Sequence, residues 1–382
     1  MKIALITNFP PTSGMGKYAY SLYVYLNKQR GAQADLISLN PFEGYEEVGG
    51  GKVIIINKKL SRLNSFKNYF FNPYRIPKGY DVYHITNEWL GIYARYNRPS
   101  IVTFHDIFLQ GPGSEYARML PSAPKFLSKR LEWSKIYHRF GDRSKKASKY
   151  AEKIICVSEF TKKNIVNILN VRADKAEVAC GLTSDLYRPR NKQEARKKLG
   201  LPLKEKIVLS VGGEETPVKN IPNAIRAYNI VQRKLNNVLL VHVGSLSKET
   251  LFLIEKLQIK DKLVQMRNLF EEDLALVYNA SDVLCFPALY AGFGMPVVEA
   301  LASGCPVVAS NYASLPEVVG DAGCLVDPLD PNQIAEAIEN VLTNNELCED
   351  LVEKGFQRVK KFFLPDVWMK KTMFIYKEVL EK

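Results

Sequence analysis

The residues with the most chemical content gather in one stretch, Asn279–Glu317, which reads NASDVLCFPALYAGFGMPVVEALASGCPVVASNYASLPE. A short apolar strand, Val283–Phe286, leads into a loop in which Gly292 and Gly294 flank Phe293. Pro296 then suits the first turn of a helix, where a missing N–H costs nothing. That helix runs through Val297–Ala302 to Gly304 as its C-terminal cap, and a second apolar strand, Pro306–Ala309, follows. Strand, glycine loop and helix together aim backbone N–H groups and a positive dipole end at one spot, which suits a phosphate. Glu299, just inside the helix, repels phosphate but accepts hydrogen bonds from hydroxyls. A diphosphate beside a polyol is the ligand this chemistry calls for.

Other candidates stand at strand ends. Lys219, between the strand Ile207–Val211 and a helix from about Ile221, can place a charge over a phosphate held by that helix. Lys2–Thr7 reads as a buried strand, followed by NFPPTSGMGKYAYSLYVYL. There Gly14 and Gly16 either let backbone approach a ligand at the strand's C-terminal edge or simply form a tight turn. His105, after the strand Ile101–Phe104, is either a ligand contact at the sheet's mouth or a satisfied structural histidine. His84 has a comparable strand-end place, whereas His138 and His242 read as surface and strand positions.

The elements that must position these residues alternate along the chain. Strand candidates at Asp35–Leu39, Val53–Ile56, Val82–Ile85 and Ile154–Val157 join the two already named, with helical patterns between several of them. Ser158 reads as a helix N-cap with Thr161 in the first turn. A polar, Pro-containing stretch after Cys180-Gly181 reads as a linker, and the pattern then restarts with strands at Ile207–Val211, Val238–Val243 and Leu263–Met266. From Asp330 helices dominate, the last one carrying Trp368, Thr372, Ile375, Tyr376 and Val379 along one face. The 382 residues exceed what one core usually supports, so two doubly wound parallel-sheet domains are expected. The expected bounds are 1–187 completed by 365–382, and 188–364.

Six scattered cysteines without Cys-x-x-Cys spacing read as buried small hydrophobes in a reducing compartment, and no structural zinc site is expected. There is no apolar run of membrane-spanning length, and the N-terminus fits a first strand better than a signal peptide. The net charge of +13 is concentrated. Lys125–Lys153 holds ten Lys or Arg against three acids, and Phe126, Trp133, Tyr137 and Phe140 share a stripe flanked by Lys129 and Arg130. This is either a helix lying on an anionic membrane or an aromatic face packed into the core with solvated lysines. Asn57–Lys78 has the same basic-aromatic texture and favours the membrane. No RNP-like, KH or helix-turn-helix pattern points to nucleic acid.

The order of motifs resembles glycosyltransferase family 4, the retaining group with the GT-B fold of two Rossmann-like domains facing each other across a cleft. The resemblance covers nearly the whole chain: the N-terminal glycine loop, His105-Asp106, ICVSEFT at 155–161, VGGEETPVKN at 211–220, EEDLALVYNASDVL at 271–284, GFGMPVVEALASGCPVVAS at 292–310, SLPEVVGDAG at 314–323, and Trp368. It implies transfer of a hexose from a nucleotide-diphosphate sugar, with retention and without a metal or other cofactor. The implied partners are the donor, a sugar or lipid-linked acceptor, and an anionic membrane surface met by Lys129, Arg130 and Trp133. The implied place is cytoplasmic, peripheral on the inner face of the membrane. Lys219 and His105 take catalytic roles in this reading. Gly14, Gly16, Gly213, Lys219, the Arg267–Leu269 backbone, Gly292, Phe293, Gly294 and Glu299 bind the donor, Glu299 on the ribose. Two places depart from the family. The first of its two glutamates, eight positions before Glu299, is Ala291, and the places where an arginine accompanies the lysine are Gly213 and Val218. The alternative reading is therefore a catalytically silent GT-B protein that binds nucleotide or glycan and supports a partner.

Overall fold

Each apolar run read as a strand forms one, to within a residue or two at the ends. The computed structural model describes residues 1–57, 74–107, 143–182, 184–213 and 217–381. The chain divides into two compact units, Met1–Thr183 with Pro365–Lys382, and Ser184–Leu364.

In the first unit the strands are β1 (Lys2–Thr7), β2 (Gln33–Ser38), β3 (Val53–Ile55), β4 (Val82–Ile85), β5 (Ser100–Phe104), β6 (Lys153–Cys156) and β7 (Ala176–Val178). They form one sheet in the order β3-β2-β1-β4-β5-β6-β7, with every pairing parallel. Side chains alternate between two cores, as the pleat requires. Ala4 and Ile6 pack with Tyr83, Ile85, Val102 and Phe104 on one face, while Ile3 and Leu5 pack with Leu22, Leu36 and Ile101 on the other. Burial on both faces explains why these strands read as continuous apolar runs. Helix α1 (Gly14–Asn27) follows β1, and α2 (Glu159–Leu169) follows β6 with the Ser158 side chain accepting from the Thr161 N–H.

The second unit repeats the plan. Its helices are α3 (Lys192–Leu199), α4 (Ile221–Lys234), α5 (Lys248–Lys256), α6 (Glu271–Ala280), α7 (Met295–Ala302), α8 (Leu315–Val319), α9 (Pro331–Thr343) and α10 (Asn345–Arg358). Its strands β8 (Lys206–Val211), β9 (Val238–Val243), β10 (Leu263–Met266), β11 (Val283–Phe286), β12 (Val307–Ser310) and β13 (Cys324–Val326) form a parallel sheet in the order β10-β9-β8-β11-β12-β13. Strands β7 (AEV) and β13 (CLV), three residues each, escaped the sequence reading because, unlike the equally short β3 in its run of four β-branched residues, neither sits in an apolar run long enough to signal a strand.

The polar stretch read as a linker is mostly not one. Residues from Ser184 belong to the second unit, and 192–199 are helix α3. Arg196 draws the segment in: its guanidinium reaches the carbonyls of Ala280 and Glu205 and pairs with Asp282 at 2.7 Å. A buried, fully engaged arginine looks like a solvated charge in a sequence.

The last helix, α11 (Pro365–Leu380), returns to the first unit and buries Trp368, Met369, Thr372, Ile375, Tyr376 and Val379. Trp368 joins the same core as Ile3, Leu5 and Leu22. The Tyr376 hydroxyl meets His84 Nδ1 at 2.6 Å, His84 Nε2 meets Thr103 Oγ1 at 2.7 Å, and Thr103 meets the Tyr18 hydroxyl at 3.1 Å. This buried chain ties α1, β4, β5 and α11 together. His84 is therefore structural, and burial lowers its pKa to about 3.

Candidate functional site

Open α/β sheets bind ligands at the carboxyl ends of strands, where the strand order reverses. In the second unit that point lies between β8 and β11. Here Lys219 meets the ends of both strands, and the segment that leads to the glycine loop touches its turn. The stem of Lys219 lies against Gly212, where an added Cβ would sit 3.2 Å from Lys219 Cγ. Its Nζ stands 5.4 Å from the centre of the Phe286 ring, at the end of β11. The turn that carries it is held from both sides. The Leu289 N–H donates to the Val218 carbonyl at 2.8 Å, and Asn220 Nδ2 donates to the carbonyls of Pro287 at 2.9 Å and Pro328 at 2.7 Å. Lys219 thus occupies the crevice between the ends of the two central strands.

The glycine loop follows β11. Phe293 is buried edge-on against Phe363, with ring centres 5.6 Å apart, so its side chain anchors the loop. Ser314 Oγ lies 2.8 Å from the carbonyl oxygens of both Ala291 and Phe293, which turns these carbonyls towards α8. Gly294 caps α7 with φ +107°, and an added Cβ would sit 2.7 Å from Leu315 Cδ2. Only glycine fits there. Helix α7 then begins at Met295, with Pro296 in its first turn and Glu299 as its fifth residue. Glu299 is 5% exposed and accepts the Tyr278 hydroxyl at 2.7 Å.

Of the other predicted positions, Arg267 and Leu269 stand apart. They follow β10, two strands from the crevice; the Arg267 guanidinium is exposed and donates to Gln265 Oε1 at 3.0 Å. Gly213, two residues past the end of β8, is at the crevice but exposed, and among the described residues an added Cβ would approach nothing closer than Ser245 Oγ at 3.1 Å. Ser314 and Tyr278 were missed by sequence reasoning. Neither has a spacing that marks it, because each acts across the fold on a residue of another element.

In the first unit the strand order reverses between β1 and β4. Of the two glycines after β1, only Gly16 is demanded by packing among the described residues. A Cβ there would stand 1.8 Å from the Pro10 carbonyl oxygen, whereas one on Gly14 would meet none of the described residues within 4 Å. Ser13 fixes this turn, accepting from the Gly16 N–H at 3.1 Å and donating to the Pro10 carbonyl at 2.9 Å. His105 sits one strand over, at the end of β5. Its Nε2 is 2.9 Å from the Thr86 carbonyl, which can only accept, so Nε2 carries the proton and Nδ1 is left with a lone pair. Burial lowers its pKa to about 4, which keeps the ring neutral at physiological pH. Beside it Glu88 is fully buried, accepting the His105 backbone N–H at 3.2 Å through Oε2. Burial first, and the charge of Asp106 second, push the Glu88 carboxyl well above its usual range. The predicted membrane residues Lys129, Arg130 and Trp133, and His138, lie outside the described residues.

The two sheets, each with its helices, define the GT-B class. Over the whole chain the fold resembles sucrose-phosphate synthase from Thermosynechococcus elongatus, with a TM-score of 0.76 and 22% identity, covering 100% of this chain and 99% of that one. It also resembles Anabaena HepE in complex with UDP-glucose, with a TM-score of 0.71 and 18% identity over 100% and 98% of the two chains. Residues 12–180 match the family model described as Glycosyltransferase Family 4, and residues 191–358 match that of Glycosyl transferases group 1. The chain belongs to glycosyltransferase family 4. O-antigen chain mannosyltransferase B from Escherichia coli is 31% identical over 223 residues, which make up 56% of this chain and 57% of that protein. The chain spans about half the length of the curated relatives it matches.

Proposed function

We propose that this protein transfers a hexose, with retention at the anomeric carbon, from a nucleotide-diphosphate sugar to a saccharide acceptor, most naturally a lipid-linked one. One observation carries this reading: Lys219 stands over the end of β11, and the loop that follows that strand, hydrogen-bonded through the Leu289 N–H to the turn of Lys219, leads into a glycine-capped helix that carries Glu299. The bond from the anomeric carbon to the diphosphate breaks, a bond to the acceptor oxygen forms, and the acceptor's proton leaves with the diphosphate. Negative charge grows on the departing diphosphate, and Lys219, the N–H groups of the glycine loop and the dipole of α7 are preorganised to receive it. In this scheme that cation and dipole take the place of a metal, so turnover should survive chelation by EDTA. Glu299 accepts from the ribose hydroxyls, and the Arg267–Leu269 backbone borders the base. To the first unit we assign contact with the transferred sugar, through the glycine loop at Gly14 and Gly16 and through the neutral His105, whose Nδ1 takes a hydroxyl. The names of the relatives support the chemistry, and a mannosyl donor is the first to try.

The test is a thermal-shift screen with UDP, GDP and ADP and their sugars, followed by nucleotide release with lipid-linked acceptors and determination of the anomeric configuration. Stabilisation by a nucleotide sugar and release dependent on acceptor are expected. Binding without release on any acceptor would point to a silent protein, the reading favoured by Ala291 in the place of an acid. No binding at all would remove both readings. Among the described residues no helix is long and apolar enough to cross a membrane. We assign contact with the inner membrane face to the basic stretch around Lys129, Arg130 and Trp133.

A further inference from the structure

Behind Glu299 lies a buried pair of tyrosines with no part in the scheme above. Tyr278, the eighth residue of α6, is fully buried and gives its hydroxyl to Glu299 Oε2 at 2.7 Å. Tyr187, from the opening segment of the second unit, packs edge-on against it with ring centres 5.9 Å apart and gives its own hydroxyl to Glu271 Oε1 at 3.2 Å. The segment holding Tyr187 is itself stitched to α6: the Arg190 N–H donates to Asn279 Oδ1 at 2.6 Å, and Asn279 Nδ2 donates to the Arg188 carbonyl at 3.2 Å. A glutamate has three rotatable bonds, and one left unheld must be ordered each time a ligand binds. A carboxylate offers about four acceptor sites, and Tyr278 fixes the carboxylate by one of them.

We propose that Tyr278, braced by Tyr187, is a positioning residue that presents Glu299 to a vicinal diol, so that ribose recognition depends on a hydroxyl that never touches the ligand. The proposal rests on the assignment of Glu299 to the ribose. It makes the second unit selective for ribonucleoside over deoxynucleoside diphosphates.

Isothermal titration of the wild-type chain, Tyr278→Phe and Tyr187→Phe with UDP and GDP and with their 2′,3′-dideoxy counterparts tests this. The wild-type chain should prefer the ribonucleotide. Tyr278→Phe should lose about tenfold of that preference while its affinity for the dideoxy form stays nearly unchanged. Tyr187→Phe should show a smaller loss of the same kind. A Tyr278→Phe chain that keeps the full preference overturns the proposal, and so does one that weakens on both nucleotides alike, since that marks a merely structural role. A wild-type chain that binds nucleotide without any preference overturns the ribose assignment itself.

Discussion

Lys219 supplies the cation that the proposed function sets against the diphosphate, and its stem already packs on Gly212. Lys219→Ala should therefore leave the melting temperature nearly unchanged and lower turnover about a hundred- to a thousandfold. Turnover near the wild-type level would remove Lys219 from the site. Glu88 makes a different prediction, one of pH. Its folded-state pKa is raised by burial and then by Asp106, so the stability it contributes is present below about pH 4.5 and is lost as pH rises. Above that pH the folded chain must hold a proton that the unfolded chain releases. Glu88→Gln keeps an acceptor for the His105 N–H and needs no proton. Its stability relative to wild type should rise between pH 4.5 and 7, by at most about 1.4 kcal/mol per pH unit. Denaturant titrations across that range check the sign, and a constant difference would place Glu88 among ordinary ionised carboxylates. Neither behaviour is legible in a sequence, where Glu88 is one acid beside a strand.

For the elements, the strand–loop–helix unit around Gly294 depends on backbone geometry. Gly294 has φ +107° and faces Leu315, whereas Gly213 has no positive φ and, among the described residues, an added Cβ there meets nothing closer than 3.1 Å. Gly294→Ala should cost about 1–3 kcal/mol of stability and weaken diphosphate binding, while Gly213→Ala should fold like wild type. Thermal melts of the two variants, with and without nucleotide, separate them. The core strands, most of the helices and the glycine-loop motif were readable because burial on both faces writes an apolar run and a helix end writes its caps. Helix α3 was not, because its lysines and arginines read as a linker until Arg196 is seen against Ala280, Glu205 and Asp282.

On the scale of the whole molecule the +13 charge is the outstanding property. The basic run continues into helical residues 143–150, where Lys145, Lys146 and Lys149 are exposed and Ala147 is buried. Reversing Lys129 and Arg130 to glutamate should reduce sedimentation with vesicles rich in anionic lipid and leave neutral vesicles unaffected. Equal sedimentation of variant and wild type would assign the charge to solubility instead.

The sequence by itself determined the class of this protein. Apolar runs, capped helices and the ordered motifs are local patterns, and local patterns survive in one dimension. Whatever depends on two distant residues meeting was decided only by the tertiary structure. Examples are the protonated nitrogen of His105 set by Thr86, the pinning of the glycine loop by Ser314, the clasp of His84 by Tyr376 and the hold of Tyr278 on Glu299. A hydrogen bond between elements leaves no period or spacing behind, because the chain path that closes it is set by the packing of two cores rather than by either residue.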